Sequence, residues 1–155
     1  MWGHVQQAKV KDRPAEVWKG IQKFSKGPCI VIAPQCLKKS KSGERGIWAW
    51  AVHDTHHFAV ISPIVGGIGK EEPKDVTPEF DPWATNLTKI PVYAFVGALD
   101  TSVPPERSER MIAAIQAAGG KVAKLRVYPD EGHGAGRVIV ASAEYYEWLF
   151  SHKHD

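Results

Sequence analysis

Two residues with acid–base chemistry sit at the ends of successive strand-like runs. The apolar run Pro91-Val92-Tyr93-Ala94-Phe95-Val96-Gly97-Ala98-Leu99 stops at Asp100. The roughly alternating run Val122 to Tyr128 stops just before Pro129-Asp130-Glu131-Gly132-His133. A helix-length segment lies between them. In a parallel sheet both loops fall at the same carboxyl edge. There a carboxylate can orient an imidazole and stabilise its charged form, while the imidazole moves a proton. Taken singly, each residue has a plainer reading: Asp100 as a turn or cap aspartate before a helix, His133 as a surface histidine. The order of the two and their matching strand ends favour the acid–base pair.

His53, His56 and His57 form a second constellation. At i, i+3 and i+4 they could share one helix face and hold a metal ion. Neither a cysteine nor a conspicuous carboxylate accompanies them, and the stretch also reads as an ordinary helix end. An adventitious nickel or zinc site is the stronger reading of any metal there. The sequence therefore sets the expectation of no functional metal and no cofactor.

The elements that must position these residues follow from local pattern. Asp12-Arg13-Pro14-Ala15-Glu16 starts a helix, with Asp as cap, Pro in the first turn and Glu near the positive end. Val17, Trp18, Ile21 and Phe24 recur on it at helical spacing, and Gly27-Pro28 ends it. Cys29-Ile30-Val31-Ile32-Ala33 reads as a strand buried on both faces. Ile47 to Val52 is helical, and Phe58 to Val65 is a second buried strand closed by Gly66-Gly67. Gly69 to Asn86 is a long loop, with a helical turn near Pro82-Trp83-Ala84. After the strand Val92 to Val96, Pro104-Pro105-Glu106 opens the clearest helix. Met111, Ile112 and Ile115 line its apolar face, and Gly119-Gly120 stops it. The strand Lys124 to Tyr128 follows, and Ser142 caps a final helix with Tyr145, Trp148 and Leu149 facing inward. Trp48, Trp50 and Trp148 are expected mostly in the core. This alternation predicts an α/β protein with a mainly parallel sheet of about four to five strands.

Composition narrows the function classes. The 155 residues, 43% apolar and 24% charged, suit one globular domain over 1–155. A net charge of +3 is mild, and the basic residues are scattered apart from Lys38-Lys39-Ser40-Lys41. No zinc-finger spacing or aromatic-basic RNA motif occurs, so nucleic acid is not an expected partner. Cys29 and Cys36, about 23 Å apart if extended, read as two free thiols rather than a disulfide. No apolar run approaches a membrane span, and Met-Trp-Gly-His-Val-Gln-Gln lacks signal-peptide character. Neither a signal peptide nor a transmembrane segment is expected, and the sequence assigns no compartment.

From about Arg45 to Lys153 the chain resembles the C-terminal part of an α/β-hydrolase. The likeness is to the group of carboxylesterases, carbohydrate and feruloyl-type esterases and phospholipase/carboxylesterase enzymes. It is carried by Ile32-Ala33-Pro34-Gln35-Cys36, Arg45-Gly46-Ile47-Trp48-Ala49-Trp50-Ala51, Ile61-Ser62-Pro63-Ile64-Val65-Gly66-Gly67, Ile90 to Asp100, Val103-Pro104-Pro105-Glu106-Arg107-Ser108 and Tyr128 to His133. The resemblance implies a shortened three-layer sandwich, with Asp100 the triad acid and His133 the triad base. The family's Gly-x-Ser-x-Gly elbow, which exposes the nucleophile on a sharp turn, occurs nowhere in the chain. Aligning Arg45-Gly46-Ile47-Trp48 puts Lys41 at the serine position with Ser42 beside it. Gly43 is kept, and Glu44 replaces the next glycine. Ser42, or Ser40 after a register shift, is the nucleophile this alignment offers, and a polar loop serine is the competing reading of either.

Two functions of different class follow. The first is a serine carboxylic ester hydrolase acting on a small-molecule ester through Ser42, His133 and Asp100, with backbone N–H groups near Gly43 holding the oxyanion. The second is a non-catalytic α/β-hydrolase remnant that binds or oligomerises, with exposed sheet edges favouring a homodimer. A flavodoxin-like ligand binder is a distant third. Gly66-Gly67-Ile68-Gly69 follows a strand, but no helix clearly starts there and no phosphate-binding glycine motif supports it.

Overall fold

A computed structural model describes residues 13–25, 27, 46–67 and 80–153. Cys29, Cys36, Ser40, Ser42, Gly43, the expected Asp12 cap and the expected strand Cys29 to Ala33 lie outside the described residues. The elements are α1 (Arg13–Phe24), α2 (Gly46–His53), α3 (Phe80–Leu87), β1 (Val92–Gly97), α4 (Glu106–Ala117), β2 (Ala123–Tyr128), α5 (Gly136–Ala141) and α6 (Ala143–Phe150). Short 3-10 turns cover Thr55–His57 and His133–Ala135. Among the described residues no helix is long and apolar enough to cross a membrane.

β1 and β2 pair in parallel, with Val92 opposite Ala123 and Gly97 opposite Tyr128. Every residue of β1 is buried. Its alternation sorts the side chains into two cores. Val92 and Ala94 join Trp48, Ala51, Leu87, Met111, Ile112 and Ile115, from α2, α3 and α4. Tyr93 and Phe95 join Ile139, Tyr145 and Tyr146, with Ile21 and Phe24 packed against them, from α5, α6 and α1. A strand covered on both faces by helices is the centre of three layers, and it explains why the run reads as continuously apolar.

On the other side of β1 runs the segment expected as the strand Phe58 to Val65. It is extended and parallel to β1, but it bridges at Ile61 opposite Val92 and at Ile64 opposite Phe95 rather than forming an unbroken strand. The reason is Pro63, which has no N–H to give the Tyr93 carbonyl. The Ser62 hydroxyl donates to that carbonyl instead, at 3.0 Å. The flanking bonds survive: Tyr93 N–H to the Ile61 carbonyl at 3.1 Å and Phe95 N–H to the Pro63 carbonyl at 2.9 Å. The described residues thus supply two strands and this bridged third segment of the expected sheet.

The helices match their sequence signals with instructive exceptions. α4 ends where expected: Gly119 takes φ +97°, and the Gly120 N–H reaches the Ile115 carbonyl at 2.8 Å. The Ser142 hydroxyl caps α6 by accepting from the Tyr145 N–H at 3.3 Å. The expected turn near Pro82 extends to the two turns of α3. α5 lies in a β-branched stretch, Val138-Ile139-Val140, that shows no helical signal in sequence. Trp18 and Trp50 are exposed, at 52% and 37%, so only part of the expected aromatic core is buried. Trp50 lies edge-on to Phe58 with ring centroids 5.3 Å apart.

Two tyrosines around β1 give the fold a pH signature. The Tyr93 hydroxyl donates to Glu144 at 2.5 Å. Burial, then the Glu144 hydrogen bond and charge, push its pKa up to about 12. Burial, then the neighbouring Tyr146, push Tyr145 up to about 12. Both folded values exceed the ordinary 10.0. Their contribution to stability is therefore complete below that ordinary value and is lost as pH rises towards the folded one. Unfolding free energy measured by urea titration is expected to fall between about pH 10 and 12, in step with delayed phenolate absorbance. A flat profile across that range would contradict the burial of these two hydroxyls.

Candidate active site

Asp100 and His133 meet at the carboxyl edge of the two strands. His133 Nδ1 lies 3.0 Å from Asp100 Oδ2. The Asp100 side chain is 1% exposed and that of His133 53%. The other carboxylate oxygen, Oδ1, accepts from the Ser102 N–H at 2.9 Å and the Val103 N–H at 2.8 Å. Both carboxylate oxygens are thus engaged, which is what a buried charge requires. A carboxylate only accepts, so Nδ1 donates, and the neutral form of the ring held this way has its lone pair on Nε2. That is the tautomer of a general base.

The backbone fixes this meeting before the side chains do. The chain after β1 and the chain after β2 are stitched by the Ala98 N–H to the Tyr128 carbonyl and the Leu99 N–H to the Glu131 carbonyl, both 2.9 Å. Gly97 sits under the crossing. A Cβ there would lie 2.3 Å from the Glu131 carbonyl oxygen and 2.5 Å from that of Gly132. Beyond the crossing, fully buried Ala135 anchors the 3-10 turn that carries His133. A glycine at a strand end is the sequence signal for such a close backbone approach, although its partner is not legible.

A third loop reaches the same edge. Val65, after the bridged segment, takes φ +45°, a left-handed conformation that a β-branched residue adopts only under constraint. Its N–H bonds the Phe95 carbonyl at 2.8 Å, and the buried Ser108 hydroxyl donates to the Gly66 carbonyl at 2.6 Å. Gly67 lies against the side chains of Arg107 and Val103, where an added Cβ would come within 2.7 Å of the Arg107 Cβ. Val103 is the residue whose N–H holds Asp100. This loop therefore buttresses the acid from behind. Val65 and Ser108 lie in stretches that carry the resemblance, but sequence reading assigned a role in the site to neither.

The three histidines do not share one helix face. α2 ends at His53, whose ring lies 6.0 Å from that of Trp83. The chain then tightens into the 3-10 turn, and Asp54 takes the place expected of His53. Its Oδ1 lies 2.5 Å from His57 Nδ1 and 3.5 Å from His56 Nδ1. The His57 hydrogen bond holds the Asp54 carboxyl below its ordinary pKa.

A parallel sheet between two helical layers, with an aspartate and a histidine joined at its carboxyl edge, is the α/β-hydrolase arrangement. Comparison with known proteins agrees and narrows it. Residues 43–154 match the prolyl oligopeptidase family, and the chain belongs to that family. A "Putative carboxymethylenebutenolidase" of Salmonella typhimurium strain LT2 is 36% identical over 94 residues, which cover 59% of this chain and 33% of the relative. One of the same description from Salmonella typhi is 35% identical over 94 residues, with the same coverage. The crystal structure of a thermostable esterase superposes with a TM-score of 0.57 at 24% identity, covering 71% of this chain and 28% of that one. That likeness speaks for the fold. The chain spans about a third of the length of the curated relatives it matches.

Proposed function

We propose that the chain is a serine-type carboxylic ester hydrolase, with Ser42 as nucleophile, His133 as general base and Asp100 as the group that orients it. The observation that carries this reading is the Asp100–His133 hydrogen bond, 3.0 Å long, with the second carboxylate oxygen already held by two backbone N–H groups. In this scheme the serine hydroxyl attacks the ester carbonyl and passes its proton to Nε2 of His133. The imidazolium returns the proton to the alkoxide oxygen as its bond to the acyl carbon breaks, and a water that gives its proton to Nε2 then cleaves the acyl-serine to the acid and the free hydroxyl. The scheme assigns the oxyanion to backbone N–H groups near Gly43, which lies outside the described residues. Membership of the prolyl oligopeptidase family supports hydrolysis at an acyl carbon as the reaction class. The names of the bacterial relatives support a small cyclic ester, a lactone, as substrate.

A fluorophosphonate probe tests the nucleophile directly. Covalent labelling of one serine is expected, mapped to Ser42 rather than Ser40 by fragmentation of the labelled peptide and suppressed in His133→Ala. A protein that takes no label sinks the triad. The second reading then stands: a non-catalytic α/β-hydrolase domain that binds or pairs with another copy. The missing Gly-x-Ser-x-Gly favours that reading. So does β2, which pairs on one side only among the described residues.

A further inference from the structure

Asp54, His56 and His57 gather at the end of the sheet opposite to the acid–base pair. They precede Ile61, which bridges to Val92 at the start of β1, whereas Asp100 and His133 follow the strand ends. The six residues of β1 separate the two groups by roughly 20 Å. One carboxylate oxygen and one ring nitrogen from each histidine lie within 4.8 Å of one another.

We propose that Asp54, His56 and His57 form a surface site for a borderline divalent cation of the zinc class. Bonds of about 2.0–2.2 Å at tetrahedral angles place neighbouring ligand atoms roughly 3.3 Å apart. The two nitrogen-to-oxygen separations, 2.5 and 3.5 Å, straddle that spacing. Small side-chain rotations bring all three atoms onto one ion. The imidazole rings are tilted 42° with centroids 4.1 Å apart, so both point nitrogen at the same carboxylate oxygen. Two imidazoles and one carboxylate suit zinc and its neighbours, and not calcium or magnesium, which take oxygen ligands. Three protein ligands leave a fourth position for water. The turn that carries them is closed by long backbone bonds, His57 N–H to the Asp54 carbonyl at 3.2 Å and Phe58 N–H to the Thr55 carbonyl at 3.3 Å. A bound ion fastens this turn. It takes no part in chemistry at Asp100 and His133.

Metal-stripped protein titrated with zinc chloride in a calorimeter is expected to bind one ion saturably, well below millimolar metal. NMR ring signals of His56 and His57 shift or broaden with the first equivalent, while those of His53 and His133 stay in place. Magnesium chloride produces neither effect. Outer-shell partners of a metal are worth about 10- to 100-fold in affinity, so losing a direct ligand in His57→Ala weakens binding at least about tenfold. Asp54→Asn, which keeps the side-chain size, does the same should the alanine variant fold poorly. His53→Ala, whose ring rests near Trp83, leaves affinity unchanged. Equal affinity in wild type and both ligand variants, signals moving first on other histidines, or an equal loss in His53→Ala would each overturn the site.

Discussion

Asp100→Asn is expected to lower kcat/KM for a short-chain p-nitrophenyl ester by about 10⁴-fold while the fold persists. The size of the loss follows from which atom the substitution changes. Oδ1 is held by the N–H groups of Ser102 and Val103, and an asparagine keeps that acceptor in place. The new amide nitrogen then occupies the Oδ2 position, facing His133 Nδ1. Two donors cannot face each other, so Nδ1 must become the acceptor and the ring proton moves to Nε2. In the proposed triad Nε2 accepts the serine proton, so the wrong tautomer would remove general-base catalysis. Circular dichroism on the variant separates this from unfolding. A loss of less than about tenfold in a folded variant would show that the pair does not run the reaction.

Gly97→Ala is expected to damage fold and site together. Its Cβ would stand 2.3 and 2.5 Å from two carbonyl oxygens of the crossing chain, and neither is a flexible side-chain end that can swing away. Overpacking of this kind costs about 1–3 kcal/mol, read as a lower urea midpoint with an unchanged slope. Relief requires the 129–132 loop to move off β1, which carries His133 away from Asp100. A displacement near 1 Å can cost about 100-fold in rate. Gly134→Ala is the control in the same loop, since nothing lies within 4 Å of its added Cβ. It should match wild type in both measurements. Wild-type stability and rate in Gly97→Ala would mean that the two loops do not cross here.

Much of the central machinery was legible because local pattern and tertiary role agree. β1 reads as an apolar run since both its faces are covered, and α4 announces its start, stripe and stop. Asp100 and His133 stood out because a parallel sheet puts successive strand ends on one edge. What stayed hidden depends on contacts between distant residues. Pro63 breaks a ladder only because Tyr93 runs beside it, and Ser62 repairs it through a bond no local window contains. Asp54 became the partner of His56 and His57 because α2 stops at His53 and the chain tightens into a 3-10 turn, which cancels the helical spacing. Trp18 matched a helical stripe yet faces solvent, since α1 presents Ile21 and Phe24 to the core. The nucleophile, placed only by resemblance at Ser42, lies outside the described residues.

The contrast between β1 and β2 sets the tempo of the candidate site. β1 is buried throughout and has bonded neighbours on both sides, so its amides are expected to exchange with solvent only when the whole unit opens. In β2 only Ala123 is buried, Leu125 and Tyr128 are half-buried, and Lys124, Arg126 and Val127 are exposed, so it is expected to fray at lower free energy. Among the described residues the acid therefore follows the fully buried strand and the base the more exposed one. Breathing of the site is then expected as the departure and return of the exposed His133 to a buried Asp100 that stays in place.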